Sequence, residues 1–370
     1  MRTRRIVSTV ALTAAAALLL GGCSTGASSE DSPAATAESL ADFGSLAELE
    51  AAAKEEGALN VIALPRDWAN YGAILDLFAE RYPEITINEA SPDVSSAEEI
   101  QAAVTNKGLD TAPDVFDLGL TVALQNTDQF APYKTEGFDD VPDELKNAEG
   151  LFVGGYGGFM SIGYDSSQYP EPTEFTDLLS DDYRGAVALN GDPTQAGAAF
   201  AAVGLATLQN GGTLDDFTPG IEFFGDMNAA GNLLKVDVTT ATVASGETPV
   251  VFDWDYLNAA HTAENPDFAV VVPEGTGYAS YYNQAINVDA PHPAAARLWQ
   301  EFLYSDEVQN LFLEGGARPA RAEAMSEAGT IDQKLWDALP EAPAEVVVPT
   351  ADQSEAAGTL LGETWASTIG

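Results

Sequence analysis

Residues 59–87, LNVIALPRDWANYGAILDLFAERYPEITI, set the fold class. Leu59–Leu64 is a short apolar run rather than a strict polar–apolar alternation, the pattern of a strand covered on both faces. Pro65-Arg66-Asp67 reads as a turn. Tyr71–Tyr82 then places Ile74, Leu75, Leu77 and Phe78 on one face of a helix. Ile85-Thr86-Ile87 is a second strand, Ala97–Val104 a second helix and Pro113–Leu118 a third strand. Before them, Ser45-Leu46-Ala47-Glu48 has the spacing of a capping box that opens a helix. Strands alternating with helices predict an α/β protein with a largely parallel, buried sheet.

A second unit is expected from residue 151. It opens with the glycine- and aromatic-rich segment LFVGGYGGFMSIGYD (151–165) and a helix near Phe175–Leu179. Strand 185–189, a long helix over Thr194–Leu208, an extended stretch over Leu233–Val238 and a helix near Thr240–Ala244 follow. Strands Pro249–Phe252 and Phe268–Pro273 come next, then Ala285–Val288, a helix over Pro293–Tyr304 and Val308–Leu313. At 370 residues the chain suits two domains, and no internal repeat is visible.

The N-terminus carries an address. Arg2, Arg4 and Arg5 precede an apolar run, Ile6–Leu20, closed by Gly21-Gly22-Cys23. That order is a secretory leader, and the run is shorter than the roughly 20 residues a membrane-spanning helix needs. Cys23 is the only cysteine. The segment resembles a bacterial lipobox, in which the thiol receives a diacylglyceryl group and the chain is cut just before it. The reading is a signal peptide over 1–22, a lipidated, disordered tether over 23–44, and a protein held by lipid on the outer face of the cytoplasmic membrane.

The formal charge is −43, and the arginines lost with the leader make it more negative still. Such a surface excludes nucleic acid as a partner, because phosphate binding needs a basic footprint. It also argues against attachment to anionic lipid by charge. With no cysteine beyond Cys23 there are no internal disulfides, and 45% hydrophobic residues suffice for one or two cores.

The run Pro291-His292-Pro293-Ala294-Ala295-Ala296-Arg297-Leu298-Trp299, with Phe302-Leu303-Tyr304-Ser305-Asp306-Glu307-Val308-Gln309 and then Gly315-Gly316-Ala317-Arg318-Pro319, is similar to a segment of extracellular solute-binding proteins of ABC importers. Ala244–Val251 also resembles the stretch that such proteins place before a ligand-contacting strand end. Within the superfamily the spermidine/putrescine, ferric iron and thiamine group is the nearest. The resemblance implies a type II periplasmic-binding-protein-like fold, two α/β lobes joined by crossing hinge strands near Gly158–Gly163 and Tyr278–Tyr282. Lobe 1 would combine 45–158 with 279–320, and lobe 2 would take 159–278 with 321–370. The glycines of 154–163 would then permit bends at the hinge. Implied partners are a small-molecule solute and an ABC permease with its ATPase; the receptor would be a monomer without a cofactor.

Ligands of open α/β sheets bind beyond the carboxyl ends of strands. Those ends carry Asp67, Trp68 and Tyr71, then Ser96, then Asp117; in the second unit, Asp192, then Trp254, Asp255 and Tyr256; and by the return crossing, Tyr281 and Gln284. Acid beside aromatic recurs, a pairing suited to an organic cation such as a polyamine. Asp117 and Asp192 would serve equally as turn or helix caps, Trp68 as core, and of Tyr281 and Tyr282 only one can face the cleft. Strand alternation would bring Asp253 and Asp255 to the same side. Phosphonate, thiamine and ferric iron are the alternative solutes. Iron is disfavoured, because Asp255-Tyr256 stands where ferric receptors of the group carry paired tyrosines, and the only histidines are His261 and His292. No GxSxG, HExxH or CxxC is present, which leaves a secreted hydrolase built on a carboxylate pair as the enzyme-class rival and a sensor-linked receptor as a third reading.

Overall fold

A computed structural model describes residues 33–263 and 265–370; Cys23 and the segment read as a leader lie outside them. The chain runs α1 (Leu46–Glu56), β1 (Ala58–Ile62), α2 (Tyr71–Arg81), β2 (Thr86–Ala90), α3 (Ser96–Thr105), β3 (Val115–Leu118), α4 (Leu120–Gln125) and β4 (Phe130–Ala131). It continues through β5 (Val153–Asp165), β6 (Val187–Leu189), α5 (Gly197–Gln209), α6 (Thr218–Ala230), α7 (Thr240–Ala244), β7 (Val250–Trp254), α8 (Asp255–Ala260) and β8 (Phe268–Val271). The last part is β9 (Thr276–Asn287), α9 (Pro293–Leu303), α10 (Asp306–Glu314), β10 (Arg318–Pro319), α11 (Ala322–Ala328), α12 (Gln333–Trp336), β11 (Glu345–Val347) and α13 (Ala351–Ile369).

The opening alternation forms as its residues dictate, but the sheets are not largely parallel. Among the described residues only β1–β2, β6–β7 and β9–β11 pair in parallel, and β2 is mostly exposed. Ser45 caps α1 by accepting from Glu48 N–H, and Tyr71, Ile74, Leu75 and Phe78 bury the inner face of α2. β1 and β2 pair in parallel, and Asp114 N–H just before β3 donates to Asn60 O of β1 at 2.9 Å. The Pro-His-Pro start of α9 is fixed from two sides. Glu56 accepts from the N–H groups of Ala294 and Ala295, and buried Asp114 accepts from His292 N–H and bonds its Nδ1 at 2.9 Å.

Two long strands organise the rest. β5 pairs with β9 over Val153–Phe159, then exchanges that partner for β7 and β8 over Met160–Asp165. β9 begins against β11, runs beside β5, and ends against β3 and β4. Each strand is therefore shared by two sheet regions. One region contains β3, β4 and β10, the other β6, β7 and β8. This is the two-lobed, periplasmic-binding-protein-like α/β fold.

The structure departs from the sequence reading at several places. The glycines of β5 do more than permit bends, although the pairing with β9 slips at Gly155. None has positive φ, and each makes room for a neighbour: a Cβ on Gly157 would sit 2.2 Å from Ser280 O, and one on Gly158 would sit 2.3 Å from an Asp255 carboxylate oxygen. Residues 33–43 are not tether. They form short 3₁₀ turns, clamped by buried Arg297, whose guanidinium donates to Ala35 O and Ala37 O. Leu233–Val238 contributes one bridge, Leu233 to Val187, not a strand. Residues 322–339 pack on α10 through Leu313, Met325 and Ile331, whereas α13 packs on α6 and α4. No helix among the described residues is long and apolar enough to cross a membrane.

Candidate functional site

The carboxyl ends of β3 and β7 and the crossing strands converge on one buried polar and aromatic cluster. From β3, Asp117 accepts from Tyr156 O–H and from Gln284 Nε2, each at 2.6 Å. Tyr156 O in turn accepts from Trp68 Nε1 at 2.8 Å, and Gln284 also reaches Tyr71 O. Tyr282 stacks on Tyr156 at 5.7 Å and meets Trp68 and Trp254 edge-on. Trp68, Tyr71, Asp117 and Gln284 thus belong to one network, with Tyr156 at its centre. Its position within GGYGG gave no sign of that.

On the other side, Asp253 is the next-to-last residue of β7. Its carboxylate accepts from Asn190 Nδ2 and from Trp254 N–H, each at 2.8 Å. Asp117 and Asp253 are both buried, and among the described residues no basic side chain bonds either of them. Burial pushes each up to about 7, against hydrogen bonds that pull the other way. Glu99 lies deeper and accepts from Asp117 N–H; burial and then the Asp117 charge raise it well above the usual range.

Asp255 has a different surrounding. β7 ends at Trp254 and α8 begins at Asp255, so alternation no longer brings Asp255 beside Asp253. Its carboxylate accepts from Phe159 N–H and pairs with Arg318 at 2.7 Å, while the guanidinium lies 4.0 Å from the Phe159 ring centroid. Tyr256 is buried, and among the described residues its hydroxyl has no hydrogen-bond partner, nor has the indole N–H of Trp254.

The remaining expected residues lie at the margins. Asp67 is exposed and accepts from Thr240, and Asp192 is exposed and caps its own turn by accepting from Thr194 N–H and O–H. Arg66 is held by Asp76 and Glu89. Ser96 Oγ accepts from Gly119 N–H at 3.1 Å. Among the described residues no cluster of His, Cys, Asp and Glu could hold a metal.

Beside the cluster is a cavity of about 240 Å³. Gly119–Val122 and Gln125 line it from one side, Pro193–Gly197 and Phe200 from the other, Trp254, Tyr278 and Ser280–Tyr282 at its base, and Ser354, Gly358 and Gly362 from α13. No charged side chain lines it. Of the expected residues, Trp254 and Tyr281 reach it. Gly119 and Gly197 meet backbone to backbone at its edge, where a Cβ on Gly197 would sit 3.0 Å from Gly119 Cα. The start of α4 and the start of α5 therefore touch.

Residues 110–341, well over half of the chain, match the family described as bacterial extracellular solute-binding protein. The chain belongs to that family. Among curated proteins none matches. Solved structures share the fold of this solute-binding protein at low identity. The binding protein AgtB from A. tumefaciens R10, solved with agropinic acid, has 14% identity and TM-score 0.68, covering 85% of this chain and 98% of its own. AfuA from Actinobacillus pleuropneumoniae, with fructose 6-phosphate bound, has 15% identity and TM-score 0.66 over 85% and 98%. A putative spermidine/putrescine ABC transporter protein from Listeria monocytogenes has 13% identity and TM-score 0.65 over 84% and 98%. The family and these relatives are binding proteins, and membership implies a location outside the cytoplasm.

Proposed function

We propose that this solute-binding protein is the receptor of an ABC importer and takes up an organic cation of the polyamine kind. The observation that carries the reading is the pair Asp117 and Asp253. Both are buried at strand ends beside the cavity, whose lining includes neither, and among the described residues neither has a cationic partner. A solute ammonium or iminium group entering the cleft would restore their charge, and Trp254 and Tyr282 would add cation–π attraction of about 0.5–2 kcal/mol. Arg318, the basic side chain that bonds a site acid, is occupied by Asp255. The Listeria relative named for spermidine and putrescine agrees with this reading.

The exchange of partners along β5 and β9 supports lobes divided near residues 158 and 279, closing on the solute by a hinge. Cys23 would hold the protein to the outer membrane face through lipid, and the receptor would act without catalysis, as a monomer.

One observation favours an anionic solute instead. The first turn of α5 faces the cavity with no side-chain cap, and helix N-terminal amides suit anions; AfuA carries a sugar phosphate. Calorimetry at pH 8 separates the two readings. Spermidine or putrescine should bind with micromolar or tighter affinity, and affinity should fall as pH drops below 7 and the two acids take up protons. Binding of fructose 6-phosphate or ferric citrate, with no response to either amine, would refute the cation reading.

A further inference from the structure

Helix α13 lies beyond residue 341, where the family match ends, yet it forms one wall of the cavity. It is fixed to the second unit. Trp365 packs edge-on against Phe224 of α6 at 6.0 Å, Asn228 Nδ2 donates to Ile369 O, and Lys235 Nζ donates to Ile369 O and Gly370 O at 2.8 Å. Ser354, Gly358 and Gly362, four apart and therefore on one face, all line the cavity. A Cβ on Gly358 would sit 2.8 Å from the Thr121 methyl, whereas one on Gly362 would meet nothing within 4 Å.

Small residues alone make no site. Ser354 supplies the second observation. It is fully buried, and its hydroxyl has no hydrogen-bond partner among the described residues. A helical serine ordinarily relieves such a hydroxyl on the carbonyl four residues back, and leaving it unmade is costly.

We propose that α13 is a solute-contacting wall: Ser354 Oγ accepts an N–H of the bound cation, and Gly358 and Gly362 keep the slot beside it open. This rests on reading the cavity as the solute site. Because α13 is tied to α6, a solute held against Ser354 and against the Gly119–Val122 turn links the two units.

Full-length wild type, Ser354→Ala and Gly362→Leu are titrated with spermidine and, separately, with fructose 6-phosphate. The Gly362→Leu side chain enters open space on a helix, so its melting temperature should equal or exceed that of wild type. Its affinity should fall at least tenfold, and that of Ser354→Ala about three- to tenfold. Wild-type affinity for spermidine in both variants overturns the proposal while leaving the cation reading intact. If wild type binds only fructose 6-phosphate, the cation reading and the accepting role of Ser354 both fall, and the same losses measured with that probe would retain α13 as a wall. If it binds neither, native mass spectrometry compares solute retained from the expressing cells. Lower occupancy in the variants supports the wall; equal occupancy, zero included, overturns it.

Discussion

Replacing Asp117 by asparagine should change how the stability of the unliganded protein depends on pH. An ordinary aspartate ionises near 3.8; burial moves Asp117 to about 7. At about 1.4 kcal/mol per pH unit, ionising it inside the fold costs on the order of 4 kcal/mol. Between those two pH values the folded chain holds a proton that the unfolded chain has lost. Stability from this group is therefore complete below pH 4 and declines by about 1.4 kcal/mol per pH unit until pH 7. Asparagine does not titrate, so Asp117→Asn lacks that decline. It also loses an acceptor for Tyr156 or Gln284, which both donate to Asp117 at 2.6 Å, at a pH-independent cost of about 1 kcal/mol. The two curves should cross near pH 4.5: wild type the more stable at pH 3.5, the variant the more stable at pH 8. Urea denaturation followed by tryptophan fluorescence across that range measures the difference. Parallel curves would refute the claim that Asp117 is buried without a counter-charge.

Gly197→Val should push the start of α5 off Gly119, because the added Cβ meets Gly119 Cα at 3.0 Å and backbone cannot move aside cheaply. Small-angle scattering should then give a larger radius of gyration in saturating solute, with affinity at least tenfold weaker; an unchanged radius and affinity would contradict the contact. Asp255→Asn should lower stability by about 3 kcal/mol, since it leaves Arg318 partly buried and unpaired, and the Arg318→Met/Asp255→Asn double variant should recover part of that loss. A single variant as stable as wild type would remove Asp255 from its structural role. Cys23→Ala should release the protein into the medium or leave its leader uncut; unchanged membrane retention would end the lipid-anchor reading.

The elements built from local pattern were legible in the sequence. The apolar runs of β1 and β3 and the i, i+3, i+4 face of α2 need no distant partner to be read. Trp68, Tyr71, Asp117 and Gln284 were named from their place at strand ends, and the fold brings them into one network. The rest depended on long-range contacts. Asp255 lies two residues from Asp253 and would share its side in a strand, but the strand ends at Trp254 and Arg318 meets Asp255 across the fold. Glycines in β5 read as bends because nothing local shows that Ser280, Asp255 and Asn258 press on them. Residues 33–43 read as tether because Arg297, some 260 residues away, is what holds them. The Thr350–Gln353 capping box of α13 was present in the sequence, but which face it turns toward the cavity was not.

The central claim is that the cleft beside Asp117, Asp253 and Trp254 holds an organic cation. Native mass spectrometry of freshly purified protein tests it most directly, because a receptor with a buried site carries solute through purification. The account predicts a bound basic compound of low mass, present in wild type and lost from Trp254→Ala. A retained acidic compound, or a basic one held equally by Trp254→Ala, would contradict it.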